Sequence, residues 1–221
     1  MSYIVLENVE FTYLGRTEPA IKNVNLTLEK GEKVALRGFN GSGKSTLAKV
    51  VLGLLKPQRG HVFLDSCSLD NYTLPEIGIR LGFVSQDPDQ MLFNLTVAEE
   101  IAFGLKWQGK DKEETDERTG HYLKWFGLEH LKNENPFNLS EGQKQLVVIS
   151  AILALSPAFL ILDEPTKNLD ACRKLDLQQA LWNIWNQGTG IIVISHDREF
   201  IAGLGGRSIQ LIKGEVVQDE G

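Results

Sequence analysis

Cysteine is nearly absent from this chain. Cys67 and Cys172 are the two it has, and neither belongs to a C-x-x-C pair. Neither a zinc site nor a disulfide framework is suggested, and reduced thiols of a cytosolic protein are the simple reading. Long apolar runs are missing too. The longest, residues 146–155, is interrupted by Ser150 and falls far short of the roughly 20 residues that span a bilayer. The opening stretch, Met1-Ser2-Tyr3-Ile4-Val5-Leu6-Glu7, has neither the basic start nor the apolar core of a signal peptide. Any membrane role is therefore expected to pass through a partner. Positive charge is in deficit: 23 Lys and Arg stand against 29 Asp and Glu, a net charge of −6. Phosphate-backbone binding wants a basic face, so nucleic acid is not expected as the partner. Internal repeats and low-complexity tracts are also lacking. The 221 residues amount to one large domain or two small ones, with room for a substantial core.

What is present begins with Gly38-Phe39-Asn40-Gly41-Ser42-Gly43-Lys44-Ser45-Thr46, which fits G-x-x-x-x-G-K-[ST] without a gap. Its glycines let the backbone turn so that consecutive N–H groups face an anion. Lys44 supplies a point charge for the outer phosphates, and the Ser45 hydroxyl is a ligand for Mg²⁺. Upstream, Lys33-Val34-Ala35-Leu36-Arg37 reads as a strand. Downstream, Leu47, Val50, Val51 and Leu54 recur at helical spacing. A strand, a loop and a helix in that order place phosphate at a helix N-terminus. The loop implies a nucleoside triphosphate.

Around this stretch the pattern predicts an α/β protein. Strands are expected at 4–13, with Tyr13 inside the leading antiparallel sheet, and at 24–28, 61–64 and 79–85. From about Thr96 the periodicity turns helical, through the charged run 110–118, a solvated helix face, to a further helix marked by Leu123, Phe126, Leu128 and Leu131. A long helix is expected over 140–155, followed by a buried strand at Phe159-Leu160-Ile161-Leu162. An amphipathic helix follows over 171–187, with Leu175, Ala180, Leu181 and Ile184 inward. A second buried strand covers Ile191-Ile192-Val193-Ile194, and a hairpin turns at Lys213-Gly214.

Asp163 and Glu164 end an apolar strand, where carboxylates face the ligand crevice of an α/β sheet. Asp163 is placed to hold Mg²⁺, and Glu164 to polarise an attacking water. His196 follows the next buried strand; it is either a structural histidine or one that touches the γ-phosphate. Gln86, after the strand ending at Ser85, brings an amide to metal or water. Ser140-Glu141-Gly142-Gln143 opens a long helix. Ser140 is its N-cap, and a second phosphate-binding helix end makes sense if a facing copy of the chain uses it.

These motifs, in this order, resemble the nucleotide-binding subunit of ATP-binding cassette (ABC) transporters: the loop 38–46, Gln86, the signature Leu139-Ser140-Glu141-Gly142-Gln143, the strand 159–164, Leu169-Asp170 and His196. The resemblance implies a P-loop NTPase (RecA-like) core with an antiparallel β subdomain at 1–95 and 137–221, and an inserted α-helical subdomain at 96–136. It implies that Tyr13 stacks on adenine, that Ser140, Gly142 and Gln143 contact ATP held by another subunit, and that Asp170 couples the two sites. The cofactors implied are ATP and Mg²⁺. A narrower resemblance, to the ATPases of energy-coupling factor (ECF) importers, rests on Phe11-Thr12-Tyr13-Leu14-Gly15, Glu18-Pro19-Ala20, Gln86-Asp87-Pro88-Asp89-Gln90 with Leu92-Phe93, and residues 97–105. It implies uptake of a vitamin or transition-metal ion and a homo- or heterodimer of ATPases. The partners implied are a membrane-embedded coupling (T-type) subunit and a substrate-binding membrane subunit, with the ATPase peripheral on the cytoplasmic face of the cell membrane. The region after Gln86 borders the groove in which the coupling helix of the membrane partner docks in that subfamily.

The pattern departs from the family at Glu141, where glycine is usual, and at Leu146 and Ala151, where arginines are common. Glu141 adds a carboxylate near the partner's phosphates unless its side chain turns away. The alternatives are a soluble, non-transport ABC ATPase, disfavoured by the single cassette and acidic charge, and a P-loop kinase, which leaves the signature and Asp170 without a role.

Overall fold

In the computed structural model, residues 2–167 and 169–220 are described; Asn168, within the run 166–170, lies outside the described residues. Two sheets organise the chain. The first is antiparallel, in the order β2-β1-β4-β5: β1 (Ser2–Phe11), β2 (Ile21–Glu29), β4 (Arg59–Leu64) and β5 (Cys67–Ser68). The second runs β10-β9-β3-β8-β7-β6: β3 (Lys33–Arg37), β6 (Leu81–Val84), β7 (Phe159–Asp163), β8 (Gly190–Ile194), β9 (Arg207–Ile212) and β10 (Glu215–Glu220). Strands β9, β3, β8, β7 and β6 are parallel, and β10 is the antiparallel edge.

The apolar runs read as buried strands are buried on both faces. Phe159 and Ile161 join the core shared with the antiparallel sheet and α1 (Lys44–Val51). Leu160 and Leu162, pointing the other way, join a second core. That core is built from α3 (Val97–Trp107), α4 (Lys112–Trp125), α5 (Glu141–Leu153), α6 (Ala171–Asn186) and α7 (Arg198–Leu204). Strand periodicity of two distributes the side chains, and double coverage is why β7 and β8 show no polar alternation.

Several expectations fail locally. Ile79 and Arg80 belong to α2 (Leu74–Arg80), not to the strand that follows. Thr73 and Glu76 form a capping box there with Pro75 in the first turn, a helix start written in the sequence. The further helix expected near Leu123–Leu131 is instead the end of α4, then Gly127 at φ 67 and a single 3₁₀ turn at Glu129–Leu131. On α6 the buried stripe is Leu177, Leu181 and Ile184, and Leu175 is 64% exposed. Position 175 lies two residues from the stripe, about 200° around a helix of 3.6 residues per turn.

Candidate nucleotide site

Parallel register brings the functional tips together. Leu36 pairs with Ile194, Asp163 with Ile194, and Val84 with Leu162, so β3, β8, β7 and β6 end at one level. The residues that follow them converge on a cavity of ≈ 770 Å³ lined by Tyr13, Asn40, Gly41, Gly43, Lys44, Ser45, Thr46, Gln86, Asp163, Glu164 and His196. Gly38 and Phe39 border a smaller cavity of ≈ 180 Å³ that His196 also lines, and Ser42 is buried behind the loop. Tyr13 lies outside the leading sheet, because β1 ends at Phe11. Its ring packs edge-on against Phe11 at 4.9 Å, and its hydroxyl stands 3.1 Å from Thr46 Oγ1. Residues 16–20 complete this rim; of them Glu18-Pro19-Ala20 carried the narrower family resemblance, and Arg16 and Thr17 had no sequence signal.

Within the loop, Gly43 is the N-cap of α1 at φ 106. The Lys44 ammonium donates to Gly38 O (2.8 Å) and Phe39 O (3.1 Å). Burial pushes the Lys44 pKa down, while the neighbouring Glu164 and Asp163 carboxylates pull it back up. His196 Nε2 stands 3.2 Å from Glu164 Oε1 and 3.4 Å from Lys44 Nζ, so the imidazole tautomer decides which of the two it bonds. Glu164 holds φ at 50, an unfavourable backbone for a residue with a side chain, fixed by its N–H bond to Ile194 O at 2.7 Å. Asp197 caps α7 and accepts from Lys174 at 2.5 Å, and that hydrogen bond holds its carboxyl below the usual carboxylate range.

Ser140, Glu141, Gly142, Gln143 and Asp170 do not line this cavity. They form a second cluster at the N-termini of α5 and α6. Ser140 and Gln143 form a capping box. The Glu141 carboxylate turns to Lys144 Nζ at 3.3 Å, and the same ammonium meets Asp89 Oδ1 at 2.7 Å. Glu141 thus shares a single positive charge of its own helix with Asp89. Lys144 was not anticipated; it is buried, and its hydrogen bond to Asp89, more than that to Glu141, raises its pKa. Because both carboxylates keep access to water, Lys144→Met is expected to cost only about 1 kcal/mol, read from the urea midpoint.

The family model described as ABC transporter matches residues 21–167. The chain belongs to the ABC transporter ATPase family. Its relatives include the energy-coupling factor transporter ATP-binding protein EcfA1 of Mycoplasmopsis synoviae, 40% identical over 198 residues, which cover 89% of this chain and 74% of that protein. Among solved structures, CbiO1 of Clostridium perfringens, described as part of the ABC transporter complex CbiONQ, superposes with a TM-score of 0.92 at 32% identity, covering 100% of this chain and 89% of that one. An ATP-binding cassette solved as a dimer in a post-hydrolysis state bound to ADP and Pi gives a TM-score of 0.86 at 33% identity, covering 98% and 97%. This ABC ATPase binds nucleotide and hydrolyses ATP as part of a transporter, as its family membership shows. No helix among the described residues is long and apolar enough to cross a membrane.

Proposed function

We propose that this ATPase powers an ECF-type importer of a vitamin or transition-metal ion. One observation carries the reading: the signature cluster at Ser140–Gln143 lies outside the cavity that gathers Lys44, Glu164 and His196. Two half-sites in one chain fit a head-to-tail dimer, homo- or heteromeric, in which each signature closes on the ATP held by the other subunit. A CbiONQ component and a dimeric cassette among its structural relatives support this. On this reading residues 96–136 form a helical lobe set into a nucleotide-binding core at 1–95 and 137–221.

ATP lies along the loop 38–46 with adenine on Tyr13. Lys44 exchanges the carbonyls of Gly38 and Phe39 for β- and γ-phosphate oxygens. Glu164 takes the proton of the attacking water, and His196, beside it, positions that water against the γ-phosphate. Ser45, Gln86 and Asp163 offer hydroxyl, amide and carboxylate oxygens in one cavity, a hard-donor set that suits Mg²⁺. Bound there, Mg²⁺ would neutralise charge on the phosphates.

On this reading the membrane subunits dock on the segment that follows Gln86. In it Phe93 (59% exposed), Leu95 (75%), Phe103 (45%) and Trp107 (59%) present apolar surface, and Phe93 packs edge-on against Phe103 at 4.7 Å. The buried Glu100 carboxylate fixes this stretch by accepting from the Phe93 and Asn94 N–H groups. Such a patch suits an amphipathic helix of a membrane-embedded coupling subunit, and on this reading the ATPase sits peripherally on the cytoplasmic face. Affinity purification from detergent-solubilised host membranes tests this. A second ATPase chain or copy and two membrane proteins should co-purify. The double variant Phe103→Glu/Trp107→Glu should lose the membrane proteins but keep ATPase activity. Co-purification with ribosomes, or equal membrane recovery for the variant, would overturn the reading.

A further inference from the structure

One side chain at the signature has no part in the mechanism above. Arg173, in the first turn of α6, lies across the N-terminus of α5. Its Nη1 donates to Ser140 Oγ at 3.2 Å, and its Nε stands 3.5 Å from Asp170 Oδ2. The guanidinium is laid against Gly142 so closely that a Cβ there would stand 2.6 Å from Nη1 and 3.3 Å from Cδ. The glycine of the signature therefore admits an arginine from the neighbouring helix.

A cation in that place is poorly rewarded by the chain itself. The N-terminal end of a helix is electropositive and repels it, and surface pairs such as Arg173–Asp170, with 44% and 66% of their side chains exposed, are worth little. A guanidinium has five N–H donors, and among the described residues Nη1 and Nε are the atoms that face protein acceptors here. An arriving anion reverses the balance, since it would meet the helix end, the Ser140 hydroxyl and a guanidinium free to bind two oxygens at once. The neighbouring carboxylates Glu141 and Asp89 face Lys144 rather than this guanidinium.

We infer that Arg173 is a phosphate ligand supplied in trans, a cation that one subunit sets on the terminal phosphate of the ATP held by the other. The inference rests on the head-to-tail dimer proposed above. It makes Asp170 the residue that orients this guanidinium, through the N-cap bond from the Arg173 N–H at 2.8 Å and the ion pair.

The test uses the full chain, co-expressed with its second ATPase if the dimer is heteromeric, in a Glu164→Gln background so that ATP persists. Sedimentation velocity measures association with ATP and with ADP, and fluorescent-nucleotide titration measures binding to the lone chain. Arg173→Ala should weaken ATP-driven association at least about tenfold, a loss of 1.4 kcal/mol or more. It should erase most of the preference for ATP over ADP, change binding by the lone chain less than about twofold, and be partly rescued by Arg173→Lys. Undiminished ATP-driven association in Arg173→Ala would overturn the assignment. So would a parallel loss of nucleotide binding by the lone chain, which marks a local structural role. Absence of any ATP-driven association in the Glu164→Gln parent would instead overturn the dimer reading beneath it.

Discussion

Glu164→Gln is expected to lower ATP turnover by at least about a hundredfold, the contribution of a general base, while ATP affinity changes only a few-fold. The amide keeps the shape and the position beside His196 Nε2, but it does not accept a proton from water. Two features motivate this expectation. Its carboxylate reaches both the His196 side chain (3.2 Å) and, more loosely, the His196 backbone N–H (3.4 Å), and its backbone is held at φ 50 by the bond to Ile194 O. The structure thus accepts a strained conformation to aim this carboxylate into the cavity. Single-turnover measurement of phosphate release, set beside a nucleotide titration, separates chemistry from binding. Turnover within tenfold of the parent would remove Glu164 from the chemistry.

The second large effect is expected at Gly43. The residue sits at φ 106, where a side chain is strained whatever the space, and a Cβ there would stand 2.6 Å from Ala20 O and 3.0 Å from Ile21 Cδ1. The obstruction is backbone, so it does not swing aside. Gly43→Ala must displace either the start of α1, and with it Lys44 and Ser45, or the segment that leads into β2. That segment is itself pinned, since Lys22 N–H bonds Gly214 O and Gly214 N–H bonds Ser42 O. We expect a stability loss of about 2–4 kcal/mol from strain and overlap together, and a loss of ATP affinity of more than about tenfold. Gly41 provides the comparison. It has φ 76, but a Cβ there would meet nothing within 4 Å, so Gly41→Ala should carry the conformational cost alone, about 1 kcal/mol. Thermal unfolding and nucleotide titration of the two variants check the contrast, and equal melting temperatures would refute it.

The parts of this fold legible in the sequence were those whose signal is local. Strand β3 and the phosphate loop announce themselves through a contiguous motif, and β7 and β8 through apolar runs that only doubly covered strands show. Helix α2 escaped because one residue alone, Ile77, is fully buried in it, which leaves a period count nothing to grip; its capping box was the better clue. Leu175 was misplaced because 171–187 holds apolar residues on more than one face, and only contact with β8 and α7 selects the stripe. Lys44 was singled out by motif, Glu164 by its place at a strand end, and Tyr13 and the functional reading of His196 by family resemblance, and the structure gathers the four at one cavity. The contacts of Arg173 with Ser140 and of Lys144 with Asp89 had no sequence signal, because they join segments far apart in the chain and depend on side-chain reach alone.

The first turn of α6 has a geometric consequence beyond its individual bonds. Asp170 caps it, Arg173 extends to Ser140, and the next residue, Lys174, holds Asp197, whose neighbour is His196. Consecutive side chains of one helical turn therefore tie the N-terminus of α5, through Ser140, to the loop that carries His196, through Asp197. A rotation of that turn would move both attachment points together, so the first turn of α6 links the signature end of the chain mechanically to the rim of its nucleotide cavity.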